Sequence, residues 1–88
     1  MKSLHTLLKV AQRKLDEIAV ESARITQEVA ALNEREASIR AHEQAEIANA
    51  GQDPTFASML PAYRMRIKAQ IADVRAQAAA KEKALDDI

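Results

Sequence analysis

The sequence predicts an all-α fold, a two-helix antiparallel coiled-coil hairpin, on three observations. Leu4, Leu8, Ala11, Leu15, Ile18, Ser22, Ile25, Val29, Leu32, Glu36 and Ile39 follow one another at steps of four and three, the a/d seam of a heptad repeat. Counting Met1, three residues before Leu4, nine of the thirteen Val, Ile, Leu and Met residues before Gly51 occupy seam positions, where about four would fall by chance if two positions in seven are seam. Nineteen alanines stand beside one glycine, two prolines and two aromatic residues, a composition that favours long helices and supplies little to bury.

Helix 1 is expected from about residue 3 to residue 49, with Ser3 as a candidate N-cap, and would be about 70 Å long. Its predicted core is Leu15, Ile18, Ile25, Val29, Leu32 and Ile39. Residues 50–54, Ala-Gly-Gln-Asp-Pro, are the only cluster of helix breakers. There Gly51 is expected to end the helix in the left-handed conformation, and Asp53 followed by Pro54 reads as an N-cap and first helical residue. Helix 2 is expected over about 58–88. Pro61 disfavours a helical Leu60, which suggests either a short turn at 54–59 before the long helix or a helix capped by Ser58.

The apolar spine of helix 2 is Leu60, Tyr63, Ile67, Ile71, Val74, Ala78, Leu85 and Ile88, with Lys81 at a weak seam position. Two consecutive steps of four, Tyr63 to Ile67 to Ile71, make a stutter that locally unwinds the supercoil. A short loop makes the helices antiparallel neighbours. A turn near residue 53 would pair positions whose numbers add to about 106, bringing Arg64, Arg66 and Lys68 opposite the region of Glu36, Glu43 and Glu46. The same offset sets Glu43 near Tyr63 and Glu36 near Gln70, a polar layer of the kind that fixes register. Exposed ion pairs contribute little each, so charge is expected to select the register more than to stabilise it.

That offset places Ile88 against Ile18, so residues 1–17, about 25 Å of helix, lack an intramolecular partner. Met1, Leu4, Leu8, Ala11 and Leu15, with Leu7 and Val10 beside them, would stay wet, although burying each large side chain is worth about 1.5 to 3 kcal/mol. A self-association interface, a partner protein or a longer helix 2 could cover them. Helix 2 closes on an apolar seam residue after two acids, where the helix dipole favours bases, and reads as a helix cut short. The whole chain, 1–88, is one hairpin unit.

Charge is balanced overall, thirteen bases against thirteen acids, but unevenly placed. Residues 1–14 carry Lys2, Lys9, Arg13 and Lys14 and no acid; residues 15–60 carry nine acids against three arginines. Neither a disulfide nor a thiolate metal site is available without cysteine, and no apolar run suits a membrane span or a signal peptide. His42-Glu43 opens like the zinc-protease helix motif, but Glu46 stands where the second histidine belongs, which leaves at most a surface site from His42 and Glu46. Ser3, Ser22, Ser38 and Ser58 have no base held beside them in a pocket, so no enzyme activity is expected. One glycine makes no phosphate loop and two aromatics make no stacking platform, so neither a small-molecule substrate, a cofactor nor nucleic acid is expected.

The opening Leu4-His5-Thr6-Leu7-Leu8-Lys9-Val10-Ala11, the glycine-containing loop near residue 50, and the segment from Phe56 to Ile71 with Leu60, Tyr63 and Ile67 resemble the flagellar export protein FliJ family. The resemblance spans the chain, although family members usually extend some fifty residues further. It implies a soluble antiparallel coiled coil of the type III export apparatus that looks like the central stalk of rotary ATPases. By that resemblance the chain would bind the export ATPase through Leu4, Leu7, Leu8, Lys9, Arg13 and Lys14, and the export gate protein through Tyr63, Ile67 and Gln70. Export chaperones would be further partners, at the cytoplasmic face of the inner membrane. Two alternatives stay open: a structural coiled coil that self-associates through residues 1–17, and the equivalent stalk of a virulence-type secretion system. Leu4, Leu8 and Leu15 also suit plain coiled-coil core, and Lys9 and Arg13 a solvated face.

Overall fold

The computed structural model describes residues 2–51 and 53–88; Met1 of the apolar opening and Gln52 of the loop lie outside the described residues. Two helices account for nearly all of them: α1, Lys2–Ala50 (49 residues), and α2, Pro54–Asp86 (33 residues). They pack as an antiparallel hairpin, 81 × 16 × 12 Å overall. The expected fold class therefore holds.

Local chemistry explains the turn. The Asp53 N–H donates to the Ala50 carbonyl at 3.3 Å, closing it, and the Asp53 carboxylate accepts the Thr55 N–H at 2.9 Å. Asp53 is thus the N-cap of α2 and sits in extended backbone, with Pro54 just inside, where a missing N–H costs nothing.

Three boundary expectations are corrected. Gly51 does not adopt positive φ: α1 runs to Ala50, and no described residue of the turn is left-handed. Ser3 lies inside α1 rather than capping it. Finally, α2 starts at Pro54 and not near residue 58, with Pro61 inside an unbroken helix and the Ser58 hydroxyl donating to the Thr55 carbonyl at 2.8 Å. Pro61 removes one backbone donor, yet the Asp53 cap and the inward-facing Leu60 and Tyr63, both half-buried, hold the first two turns helical.

The core is a narrow seam. Ile25 and Ala50 of α1 and Ile67, Ile71, Val74 and Ala78 of α2 are buried. Val29, Leu32, Ile39 and Leu85 are half-buried, as is Lys81. On α2 the covered positions run Leu60, Tyr63, Ile67, Ile71, Val74, Ala78, Lys81 and Leu85, so the stutter expected from two steps of four is present in the packing. Leu15 and Ile18, expected in the core, are instead exposed, at 61% and 44%, and Ile88 is exposed as well. The reason is axial offset. Ion pairs join Glu36 to Arg75 at 2.5 Å and Glu28 to Lys81 at 2.6 Å, so facing residue numbers add to 111 and 109 rather than about 106. That shift moves the end of α2 toward residue 22 of α1, and cover accordingly begins at Glu21 and Ser22.

Candidate protein-docking surfaces

Beyond the end of α2, α1 continues as a single helix whose residues 2–20 are all exposed. At about 100° per residue, Leu4, Leu7, Leu8, Ala11, Leu15 and Ile18 fall on one arc of this overhang, about 100° wide. Leu7, Leu8 and Leu15 are each more than 60% exposed. The heptad seam thus runs unbroken from the paired rod into the overhang, where α2 does not lie against it. Lys14 borders the apolar arc. Lys9 and Arg13, grouped with it as a docking patch on the sequence, lie on the opposite face together with Lys2. The docking candidates therefore divide into an apolar face of Leu4, Leu7 and Leu8 with Lys14 at its edge, and a basic back.

The second candidate set is divided by burial. Ile67 is 5% exposed and belongs to the core, Tyr63 is half-buried, and Gln70 is exposed. A partner can reach Gln70 directly, but Ile67 only by opening the hairpin. Tyr63 lies in a small notch of about 190 Å³ with Glu46, Phe56, Met59, Leu60 and Arg66, near the turn. Its hydroxyl oxygen is shielded from solvent without a hydrogen-bond partner among the described residues, and burial, then the Glu46 and Glu43 carboxylates, push its pKa up. Phe56 and Met59 beside it are exposed.

Charge pairing differs from the expected layer. Glu36 meets Arg75, and Arg40 of its own helix at 3.5 Å, instead of Gln70. Glu28 contacts Arg24 at 2.6 Å and Lys81 across the seam; the Lys81 contact is an ion pair without the direction of a good hydrogen bond. Arg24 also pairs with Glu21. The Lys81 ammonium holds the Glu28 carboxyl below the usual carboxylate range, and the Arg75 guanidinium does the same for Glu36. Arg64, Arg66 and Lys68 form no ion pair among the described residues. The expected facing holds in part, since Arg64 and Lys68 share a groove with Glu43 and Arg66 a notch with Glu46, but the axial offset gives Glu36 to Arg75.

Arg64 and Lys68 instead belong to an open groove of about 580 Å³ between the helices. Its walls are Arg40 and Glu43 from α1 and Arg64, Lys68 and Arg75 from α2, over Ile47, Ile71 and Ala72. Sequence reading missed this groove, though the spacing of Arg64, Lys68 and Arg75 along one face of α2 carried its signal. His42 Nε2 lies 3.9 Å from Glu46 Oε1, and no group of three metal-ligand side chains occurs among the described residues. No described helix is long and apolar enough to cross a membrane. No protein-family model, curated protein or solved structure matches the chain.

Proposed function

We propose that the chain is a non-enzymatic, stalk-like accessory protein of flagellar type III export, which docks its N-terminal overhang on the export ATPase and meets the export gate and substrate chaperones along its helical surface. The overhang carries this reading: a bare apolar arc at the end of a long, narrow lever is suited to insertion between other subunits' helices. The resemblance of the Leu4–Ala11 and Phe56–Ile71 segments to the FliJ family supplies the system. Leu4, Leu7, Leu8 and Lys14 form the ATPase contact, and Gln70 with the exposed edge of Tyr63 the gate contact. Action at the cytoplasmic face of the inner membrane belongs to the same reading. The test is binding to the cognate ATPase by the chain carrying Leu4→Asp and Leu8→Asp. Loss of binding supports the assignment, whereas unchanged affinity removes the docking face.

The same uncovered arc also favours self-association through the overhang as a second reading, since each large aliphatic side chain buried there is worth about 1.5 to 3 kcal/mol. Sedimentation decides it: a chain that remains monomeric at tens of micromolar does not use this face for strong self-pairing. A virulence-type stalk shares the same physics and differs in its gene neighbourhood.

A further inference from the structure

The groove on one side of the paired rod has a composition that neither the hairpin nor the overhang requires. Its floor is aliphatic, formed by Ile47, Ile71 and Ala72. Four cations, Arg40, Arg64, Lys68 and Arg75, stand around it, with Glu43 as the one acid in the wall. Glu36 at its edge takes up Arg75 and, more loosely, Arg40. Counting both acids, two positive charges remain in excess, in a chain whose total charge is zero. Arg64 and Lys68 have no anionic partner among the described residues, whereas Lys81 and Arg24 elsewhere on the rod are both paired.

The geometry also has a length and a direction. Arg64, Lys68, Ile71, Ala72 and Arg75 follow at helical spacing down one face of α2, three turns or about 16 Å. Arg40, Glu43 and Ile47 run alongside at the matching spacing on α1. A third helix laid in such a furrow packs its side chains between two ridges, as in any small helical bundle.

We propose that this groove receives an acidic amphipathic helix from a partner protein, with its aliphatic side chains on Ile47, Ile71 and Ala72 and its carboxylates against Arg64 and Lys68. Charge complementarity selects the sign of the partner. The aliphatic floor selects a helix over a nucleic acid strand, whose phosphates gain nothing from methyl groups and whose bases find no aromatic surface to stack on in this groove. The site starts about 30 Å along α1 from the end of the overhang and does not depend on what the overhang binds.

The test uses the full chain and a labelled synthetic helical peptide of about 18 residues, leucines on one face and glutamates flanking them. Fluorescence anisotropy gives the affinity and amide chemical-shift mapping gives the place. The peptide is expected to bind, to weaken as salt rises, and to shift the resonances of Ile47, Arg64, Lys68 and Ala72 while leaving residues 2–20 unmoved. The exposed double change Arg64→Glu, Lys68→Glu should weaken binding by about tenfold or more. Ala72→Glu, an independent change at the floor, should weaken it comparably; far-UV circular dichroism checks that both variants keep the hairpin. Absence of peptide binding, equal affinity for a lysine-for-glutamate control peptide, shifts confined to the overhang, or tighter binding of a short DNA duplex at the same residues would each overturn the proposal.

Discussion

Two aliphatic seam residues, Ile67 on α2 and Leu8 on α1, should respond very differently to truncation. Ile67 is 5% exposed, and Ile67→Ala removes three carbons from the seam. At about 0.8 kcal/mol per buried methylene this is about 2.4 kcal/mol, and alanine returns about 0.4 kcal/mol of helix propensity, leaving a loss of about 2 kcal/mol. For a two-helix chain of this size that is a large share of the total stability. Leu8 occupies an equivalent seam position but is 61% exposed, so Leu8→Ala should stay within about 0.5 kcal/mol of the parent. Urea unfolding followed by far-UV circular dichroism at low micromolar concentration measures both. Equal losses would mean that the overhang is covered within the isolated chain. A loss below about 0.5 kcal/mol for Ile67→Ala would mean that the hairpin seam is not packed. Repeating the measurement at higher protein concentration separates a cover supplied by a second copy, because only then does Leu8→Ala become costly as concentration rises.

Acidification should destabilise the rod. Glu28 and Glu36 have folded pKa values below the ordinary 4.5, set by Lys81 and Arg75, so their contribution is complete above that value and is lost as pH falls through the lower folded values. A melting temperature that stayed level from pH 6 to pH 3 would contradict the pairing. Gly51→Ala should be neutral or stabilising by up to about 1 kcal/mol. Gly51 lacks positive φ, and a Cβ there meets only the Ala48 carbonyl oxygen at 3.6 Å; a clear fall in melting temperature would indicate a left-handed turn after all. Tyr63→Phe removes a shielded hydroxyl that has no partner among the described residues, so the variant should melt at the parent temperature or above it. Tyr63 is the only tyrosine, and ultraviolet titration should show it ionising above pH 10; ionisation at or below 10 would place it in open solvent.

The helical class, the single reversal near Gly51, the Asp53-Pro54 cap and the stutter at Tyr63, Ile67 and Ile71 were legible in the sequence, because each rests on contacts within a few residues. Spacing names the inward face of a helix, and an Asp before a Pro names a cap, whatever the rest of the chain does. Heptad spacing cannot set how far one helix slides along the other, since every seam layer offers similar aliphatic surface. That offset came from how the turn closes, Ala50 to Asp53 without a left-handed glycine, and from the reach of Arg75 to Glu36 and Lys81 to Glu28. It exposed Leu15 and Ile18 and left Arg64 and Lys68 without an ion pair among the described residues, beside an aliphatic furrow. Which residues face inward is a property of one helix, whereas which of them find cover is a property of two.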